Sequence, residues 1–440
     1  MKAYFYKLLH TYLALEIRPG NSVVEIHPQH HLLIRLFNGV KTAVLSNKPT
    51  IDSSVIPTIH NLQELKAIQP DYILLDGNIH YENDIQQVLE DIYGVCEPNT
   101  RLILLYYSSL WRPFCRLATW LKWRTKTPEQ NWVAPEDVAN LMLLAGFEPV
   151  RQERRILVPL YIPLISYIVN RYIAPLPFFR IFTMVNIVSV RPIFRLNPRQ
   201  KPSVSIVVPA RNEAGNIEPL LQRLPKMGIH DELIFVEGHS TDLTWETIQT
   251  MSQMYQDKFN IKIVQQTGKG KGDAVRKGFE LATNDILMIL DADMTVSPED
   301  LPKFYNAIVT EKGEFINGSR LVYPMENKAM PFINIIGNKT FAIAFSFVLG
   351  QRFKDTLCGT KVLSRNNYLK IAANRSYFGD FDPFGDFDLL FGASRLGLKI
   401  VEIPIAYKER NYGNTNIQRW KHGWLLLRML LFAARKIKFI

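Results

Sequence analysis

Cysteine, acidic charge and long apolar runs are all scarce in this 440-residue sequence. Its three cysteines, Cys96, Cys115 and Cys358, are widely spaced, so we expect a reducing compartment and no disulfide framework. The N-terminus lacks the uninterrupted apolar core of a signal peptide. No run reaches the roughly 20 apolar residues that a membrane-spanning helix needs. The sequence therefore predicts a cytoplasmic protein that is soluble or peripheral to a membrane.

Basic residues outnumber acidic ones, because 52 Lys and Arg stand against 41 Asp and Glu and the net charge is +11. This excess favours an anionic partner such as nucleic acid, a membrane surface or a phosphorylated substrate. The sequence shows no nucleic-acid recognition module, so we expect no nucleic-acid partner. A chain of this length predicts two or three domains.

A proline-rich basic segment at residues 191–202 is typical of a linker, with three prolines, three arginines and one lysine. On both sides of it, apolar strand-like runs alternate with helical patterns, which predicts an α/β fold with parallel sheets in each half. We therefore predict one domain at 1–190 and a second at 203–416. A basic amphipathic helix is expected to follow at 417–440.

The first half has five candidate strands and two clear helical stretches, at 85–92 and 133–146. The candidate strands are Ser22–Ile26, Thr42–Leu45, Tyr72–Leu75, Arg101–Tyr106 and Glu148–Arg155. With the stretches PDYILLDGNIHYENDIQQVLEDI and NWVAPEDVANLMLLAGFEPV, residues 10–190 resemble a class I SAM-dependent methyltransferase. The resemblance implies a Rossmann-like domain.

This half departs from that family where the cofactor would bind. The glycine-rich turn after the first strand is replaced by EIHPQHH, in which His27 and Pro28 would block the pocket. We therefore predict a methyltransferase-like scaffold without SAM activity. The cluster of His27, His30 and His31 is interpreted as a surface loop, with a metal site as the alternative.

In the second half, four predicted strands end in polar loops. The loops lie in VVPARNEAGNI, FVEGHSTDLT, GKGKGDAVRKG and ILDADMT. Ligands of open α/β sheets bind at the carboxyl ends of the strands. Glu237 is placed to accept hydrogen bonds from a sugar or a base, whereas Ser240 and Thr241 are expected to cap the next helix. The glycines and lysines around Lys271 are able to wrap a phosphate.

Asp291 and Asp293 follow the fourth apolar strand, with one residue between them. Side chains at this spacing point to opposite faces of an extended chain, so they converge only if the chain turns at Ala292 and Met294. Converging carboxylates suit Mg²⁺ or Mn²⁺ together with substrate phosphate oxygens. The alternative role, a helix cap, is assigned to Ser297, which leaves the two aspartates without a structural task.

In this order the four loops resemble the family-two glycosyltransferases of GT-A fold, closest to dolichol-phosphate mannose synthase and the polyprenyl-phosphate sugar transferases. The resemblance covers residues 202–420 and implies that Asp291 and Asp293 bind the metal ion. Glu237 stands where the family usually has Asp, and Gly238 where it often has a second Asp. The residues implied to bind the nucleotide-sugar are Pro209, Ala210, Arg211, Asn212, Glu213, Glu237, Lys271, Gly272, Asp291, Ala292 and Asp293.

Later motifs extend the resemblance. FINGSR ends in Arg320, which is implied to face a phosphate, and residues 355–362 resemble a segment behind the acceptor site. Asp386 matches the catalytic carboxylate of inverting members best, with Asp388 and Asp382 as competitors. Arg410 opens a loop, with Thr415 in place of the usual serine, that is implied to close over the donor phosphates. The alternatives are surface ion pairs for both arginines and a helix cap for Asp386.

The resemblance implies an inverting hexosyltransferase that needs Mg²⁺ or Mn²⁺ and uses a nucleotide-sugar donor. An apolar helical stretch at 331–349 and the basic aromatic tail at 419–438 favour a polyprenyl (dolichol or undecaprenyl) phosphate acceptor at the cytoplasmic membrane face. The tail could equally pack in a core. Two alternatives stay open: a polysaccharide or other hydroxyl acceptor with Asp386 as base, and a bifunctional methyltransferase–glycosyltransferase.

Overall fold

The computed structural model describes residues 2–28, 32–46, 56–122, 131–194, 201–323, 330–375, 385–410, 412 and 419–440, without the side chains of 332, 386 and 419–422. The chain divides into two compact units, Met1–Phe194 with Arg435–Ile440 (unit 1) and Arg195–Ala434 (unit 2). Each unit contains a seven-stranded sheet. The α/β prediction is confirmed for both halves, but both sheets are mixed and not fully parallel.

Unit 1 surrounds a sheet of order β3-β2-β1-β4-β5-β7-β6. Its strands are β1 (Ser22–Ile26), β2 (Lys41–Leu45), β3 (Thr58–Ile59), β4 (Tyr72–Asp76), β5 (Arg101–Tyr107), β6 (Phe147–Arg155) and β7 (Val185–Pro192). Its helices are α1 (Lys2–Leu13), α2 (Gln63–Ile68), α3 (Ile85–Tyr93), α4 (Arg112–Trp120), α5 (Pro135–Leu144) and α6 (Ile165–Ile168). Strands β1 to β5 are parallel, and β7 is antiparallel to both β5 and β6.

Strand β7 extends unit 1 into the segment predicted as a linker. All its residues are buried, and Pro192 pairs with Phe147 on β6. The Arg191 guanidinium donates to Glu148 at 2.7 Å. Residues 191 and 192 thus belong to the sheet, because strand pairing and an ion pair hold them there.

The last six residues also belong to unit 1, so the predicted C-terminal helix is divided between the two units. Ile437 and Lys438 are only 2% and 5% exposed. The Lys438 ammonium lies 3.0 Å from a carboxylate oxygen of Glu153, and Arg155 donates to the Lys438 carbonyl at 2.7 Å. The end of the chain is therefore anchored by a buried ion pair.

We expect Glu153→Gln to destabilise unit 1 by about 3–5 kcal/mol, because it leaves buried cations without their shared partner. Burial alone would raise the pKa of Glu153, but Lys438, Arg155 and Arg151 outweigh it and hold that pKa far below its usual range. Because the pKa of Glu153 is lower in the folded state than in the unfolded state, its ionised form stabilises the fold at pH values above the unfolded pKa. This contribution to the free energy of unfolding is lost as the pH falls through the folded pKa. Thermal unfolding from pH 7 downwards measures both effects.

Lys438→Met is the matched control, because Glu153 keeps Arg151 at 3.4 Å and Arg155 at 3.2 Å. We expect it to cost clearly less than Glu153→Gln. The difference in free energy of unfolding between the wild type and Glu153→Gln should decrease once the pH falls below roughly 4, because the Glu153 carboxyl of the unfolded chain then takes up a proton. Equal losses for the two variants would contradict a network centred on Glu153.

Unit 2 surrounds a sheet of order β10-β9-β8-β11-β13-β12-β14. Its strands are β8 (Val204–Ala210), β9 (Asp231–Glu237), β10 (Asn260–Gln265), β11 (Ile286–Ile289), β12 (Phe315–Ser319), β13 (Lys361–Ser364) and β14 (Ile400–Pro404). Its helices are α7 (Ala214–Arg223), α8 (Thr244–Met254), α9 (Lys271–Leu281), α10 (Leu301–Val309), α11 (Phe332–Leu349), α12 (Arg365–Ala373), α13 (Asp386–Arg395) and α14 (Arg419–Ala433). The four predicted strands and the strand before Arg320 are confirmed.

One edge of this sheet collects the polar loops. Strands β8 to β11 are parallel, so their carboxyl ends lie at the same edge. β13 runs antiparallel to β11 and β12, which brings its first residues, and the ends of β12 and β14, to that edge as well. The core beneath is apolar and includes Ile206, Phe235 and Met288. Within the described ranges, the helices are too short or too polar to cross a membrane.

Candidate active site

The chain turns where Asp291 and Asp293 follow β11. Met294 has a left-handed backbone with φ of 51°, and its N–H donates to the Asp291 carbonyl at 3.3 Å. Lys271 Nζ lies 2.6 Å from Asp291 Oδ1, and an Arg410 nitrogen lies 2.5 Å from Asp293 Oδ2. Each carboxylate at the turn thus has its own cation, and each cation comes from a different loop.

Asp293 also has a structural task, which the sequence interpretation did not assign to it. Its Oδ1 accepts from the Thr295 N–H at 3.1 Å and from the Thr295 hydroxyl at 2.8 Å. The Ser297 side chain makes no capping bond, and only its carbonyl accepts from the Asp300 N–H at 3.0 Å. The predicted Ser297 cap is therefore wrong. One Asp293 oxygen holds the turn, and the other faces Arg410.

Glu213 completes a group of three acidic residues near Arg410. Arg410 donates to Glu213 Oε1 at 3.3 Å, and Asn216 donates to Oε2 at 2.6 Å. Burial raises the pKa of Glu213 to about 7; Asn216 and Arg410 oppose the shift, and Asp293 and Asp291 add to it. The three carboxyl groups are close enough to repel one another, so the group would gain from a further cation.

The loops after β8 and β9 are joined by hydrogen bonds. Asn212, at φ of 57°, accepts the Thr241 N–H on its side-chain oxygen at 2.8 Å and donates its own N–H to Ser240 Oγ at 3.0 Å. Ser240 and Thr241 therefore link the loops, and the prediction that they cap α8 is wrong. Pro209, Ala210 and Arg211 lead into this linked pair of loops.

Glu237 is buried at the end of β9 and accepts two hydrogen bonds. The Ser240 N–H donates at 2.5 Å and the Gln265 amide at 3.1 Å. Burial raises the pKa of Glu237, but these hydrogen bonds outweigh it and the net pKa is lowered. Glu237 is thus held ionised at the carboxyl end of β9.

The glycine–lysine loop forms the start of α9, whose N-terminus favours an anion. Gly270 has φ of 88°, which favours glycine, and the Gly268 N–H donates to Asp273 at 3.0 Å. A Cβ at Gly385 would lie 2.7 Å from the Gly272 Cα, so the start of α13 is packed against this loop. Asp386 is the next residue after Gly385. Its side chain, like the whole of Asp382 and Thr415, lies outside the described residues.

Arg320 lies at the same edge but already has a partner. Its Nε and Nη2 donate to the two carboxylate oxygens of Asp355 at 2.7 and 2.9 Å, and its guanidinium carbon lies 5.1 Å from the centre of the Tyr407 ring. Its predicted contact with a phosphate stays a prediction.

Asp388, the alternative to Asp386 as catalytic carboxylate, accepts a hydrogen bond from Arg375 at 2.7 Å.

Asp291 is surrounded by positive charge. Burial alone would raise its pKa, but Lys271, the fully buried Lys361 and Arg320 outweigh it and lower the pKa. A Cβ at Gly359 would overlap both Asp291 and Lys271, so the loop before β13 touches this ion pair. The contact at Gly359 was not predicted, although the glycine lies in the motif at residues 355–362.

The donor set at the turn fits a hard divalent cation. Among the residues that the structure describes, no group of three or more His, Cys, Asp or Glu side chains is arranged to hold a metal. Mg²⁺, however, is commonly held by one or two carboxylates, with substrate phosphates and water completing its shell. Asp291 and Asp293 supply such carboxylates at one turn.

The predicted histidine cluster belongs to unit 1. His27 is described, with φ of 42°, whereas His30 and His31 lie outside the described ranges.

Residues 205–368 match the family model described as Glycosyl transferase family 2. Unit 2 therefore contains a family 2 glycosyltransferase domain, and the predicted enzyme class, glycosyltransferase, is confirmed. The match includes the loops after β8, β9, β10 and β11 and ends within α12.

Curated relatives that are similar to part of this chain include a glycosyltransferase and a mannosyltransferase. The glycosyltransferase AglJ of Haloferax volcanii is 28% identical over 236 residues, which cover 53% of this chain and 72% of AglJ. A dolichol-phosphate mannosyltransferase of Pyrococcus furiosus is 28% identical over 222 residues, 49% of this chain and 59% of the relative. The chain thus spans less than two thirds of the mannosyltransferase.

A solved structure is also similar to this chain. Glucosyl-3-phosphoglycerate synthase of Mycobacterium tuberculosis covers 54% of this chain and 80% of its own at 18% identity, with a TM-score of 0.38. A superposition this loose supports no conclusion about substrate or metal.

Proposed function

We propose that unit 2 transfers a sugar from a nucleotide-sugar to a polyprenyl phosphate, with a divalent cation on Asp291 and Asp293. One observation carries this proposal: both carboxylates are paired with a cation from a neighbouring loop, Lys271 at 2.6 Å and Arg410 at 2.5 Å. A metal–diphosphate pair would fit between these groups, with its metal on the carboxylates and its phosphates on Lys271 and Arg410.

The charges that develop during transfer explain this arrangement. As the bond to the sugar breaks, negative charge grows on the departing diphosphate. A bound Mg²⁺ or Mn²⁺ would neutralise part of that charge. Lys271 and Arg410 would add fixed positive charge at the same place, without the reorganisation that water requires. Glu237, kept ionised by its hydrogen bonds, would hold a hydroxyl or amide of the nucleoside.

The acceptor is proposed from two observations. A similar protein of Pyrococcus furiosus is named a dolichol-phosphate mannosyltransferase. In unit 2, α11 packs against α14, and both helices keep large apolar side chains in solvent. These exposed side chains are Ile333, Ile336 and Ile343 on α11 and Trp424, Leu427 and Leu431 on α14. An apolar surface of this kind would suit the hydrocarbon of a lipid acceptor at the cytoplasmic membrane face.

The acceptor class decides whether a base is needed. A phosphate acceptor is already ionised, whereas a hydroxyl acceptor must lose a proton to a side chain. Asp386 is the candidate base for a hydroxyl of a polysaccharide; the close approach of Gly385, the residue before it, to Gly272 in the glycine–lysine loop supports this. In either case we propose inversion at the anomeric carbon.

We expect Asp386→Asn to keep kcat/KM within about tenfold if the acceptor is a phosphate, and to lower it by about 10²–10⁴ if the acceptor is a hydroxyl. Initial rates with polyprenyl phosphate and with a soluble oligosaccharide measure the difference. A loss of about 10³ with polyprenyl phosphate would contradict transfer without a base. Asp388→Asn is the comparison, because its partner Arg375 predicts a loss of stability and not of kcat.

Unit 1 is proposed to be a methyltransferase-like scaffold. The order β3-β2-β1-β4-β5 resembles that of dinucleotide-binding sheets, which bind ligands where the order reverses, here between β1 and β4. The chain leaves β1 through His27 and Pro28, and the buried carboxylate of Glu25 has a pKa raised by burial and by Asp76. We expect titration calorimetry with SAM to show no binding. Micromolar binding would favour the bifunctional alternative.

A further inference from the structure

Helix α4 of unit 1 turns its apolar face outward. Leu110, just before the helix, Phe114, Leu117 and Leu121 follow one another at helical spacing and are 37–61% exposed, and Trp120 is 77% exposed. The buried residue of this helix is Cys115. A surface helix of a globular protein normally has the reverse arrangement, with its apolar stripe in the core.

Residues 157–182, the connecting segment (loop 157–182) that contains the short helix α6, also have their apolar side outward. The Asn170 side chain accepts the N–H groups of Leu157 and Val158, both at 2.9 Å, and Ser166 accepts from the Ile162 N–H at 2.7 Å. Asn170 and Ser166 are both about 1% exposed. The large apolar side chains that face outward are Leu160, Tyr161, Ile162, Leu164, Ile165, Tyr167, Ile168, Tyr172, Leu176, Phe178, Phe179, Ile181 and Phe182.

The two segments form one surface. Trp111, at the start of α4, donates its indole N–H to the Phe182 carbonyl at 2.8 Å. The Trp111 ring lies 5.5 Å from Phe114, and Phe178 lies 5.7 Å from Phe182. We call α4 with residues 110, 111 and 121 and the loop 157–182 the apolar surface of unit 1. It carries 18 exposed large apolar side chains, and large exposed apolar patches mark sites that contact a protein or a membrane.

The charged residues within these two segments are all positive. Residues 98–122 and 156–184 contain no aspartate or glutamate. Arg112, Arg116, Lys122 and Arg180 are exposed, and the Arg171 guanidinium lies 5.3 Å from the Tyr167 ring. Outward Leu, Ile and Phe bounded by Tyr, Trp and basic residues are the composition of segments that lie in the interface of an anionic membrane.

We propose that the apolar surface of unit 1 inserts into the headgroup region of an anionic lipid bilayer and holds the protein on the membrane. Apolar lipid cannot satisfy backbone groups, and here Asn170 and Ser166 accept hydrogen bonds from the N–H groups of residues 157, 158 and 162 from inside the segment. A second copy of the chain is the weaker occupant, because pairing this surface with itself would bring two sets of arginines together. The proposal does not depend on sugar transfer.

Co-sedimentation of the full-length protein with vesicles tests this proposal. The vesicles contain phosphatidylcholine with or without about a third phosphatidylglycerol, and neither donor nor polyprenyl phosphate. We expect binding to the anionic vesicles that weakens as NaCl rises from 0.05 to 0.5 M, since the basic residues contribute. We expect Phe114→Ser/Trp120→Ser and Leu164→Ser/Phe178→Ser each to lower the partition coefficient at least tenfold. In Trp120→Phe, quenching of tryptophan fluorescence by brominated lipid should decrease.

Ile229→Ser/Met254→Ser is the matched control, because these residues of unit 2 are 54% and 65% exposed and belong to none of the sites described. It should bind vesicles as the wild type does. Absence of binding, or equal binding by wild type and both surface variants, would overturn the proposal. A dimer in lipid-free buffer that the surface variants dissociate would assign the surface to a second copy. Because all the substituted residues are exposed, circular dichroism should show each variant folded.

Discussion

Asp291→Asn should lower sugar transfer by about 10²–10³ or more, because it removes charge at the point where we propose that the metal and the diphosphate bind. Asn keeps the size of the side chain but is a weak ligand for Mg²⁺ or Mn²⁺. It also releases Lys271, which now lies 2.6 Å from Asp291. Rates at saturating metal, and calorimetric titration of Mn²⁺ with a nucleoside diphosphate, measure the two consequences separately.

The matched control is Asp300→Asn, the same chemical change in the same unit. Asp300 lies directly before α10, and its carboxylate forms an ion pair with Lys303 at 2.5 Å. We expect it to keep wild-type rates and wild-type Mn²⁺ affinity. Full activity of Asp291→Asn, or wild-type activity in the presence of excess chelator, would contradict the assignment of the metal to this turn.

Gly359→Ala should lower kcat/KM by about 10², because a displacement of roughly 1 Å at a site of this kind costs that much. A Cβ there would overlap Asp291 and Lys271, so one of the two must move away from its present position. Gly359 does not have a positive φ, so the backbone itself accepts alanine. We therefore expect the variant to fold and to lose affinity for Mn²⁺ with nucleoside diphosphate.

Gly94→Ala is the corresponding control, because a Cβ at Gly94 has no neighbour closer than a backbone oxygen at 3.5 Å. It should have wild-type kinetics. If Gly359→Ala also kept wild-type kcat/KM, the ion pair of Asp291 and Lys271 would have no part in transfer.

The sequence predicted the strands of both units well where apolar runs are bounded by turn residues. The bounds of β1 are those predicted, and β2, β4, β5 and β6 each differ from the predicted bounds by one residue. The turn at Asp291–Met294 was predicted from the need to bring two carboxylates together. Such features are local, because the hydrophobic periodicity, the turn residues and the charges that predict them lie within a few residues of one another.

The predictions that failed depend on contacts between residues far apart in sequence. β7 enters the linker segment because β6 pairs with it, and nothing within residues 191–192 indicates this. Residues 435–440 belong to unit 1, where Lys438 forms an ion pair with Glu153, a residue 285 positions earlier in the sequence. Ser240 was predicted to cap α8 but accepts a hydrogen bond from Asn212, because the loops after β8 and β9 meet at the edge of the sheet. The ion pair between Arg320 and Asp355 was not predicted either, because the two residues lie 35 positions apart; the predicted contact of Arg320 with a phosphate stays a prediction.

The most direct test of the account is a transfer assay with membranes that contain polyprenyl phosphate, a series of radiolabelled nucleotide-sugars, and Mg²⁺ or Mn²⁺. We expect label in the lipid fraction for at least one donor, dependent on the metal and absent with Asp291→Asn. Label only in a water-soluble glycan would contradict the lipid acceptor. Metal-independent transfer to lipid would contradict the role of Asp291 and Asp293.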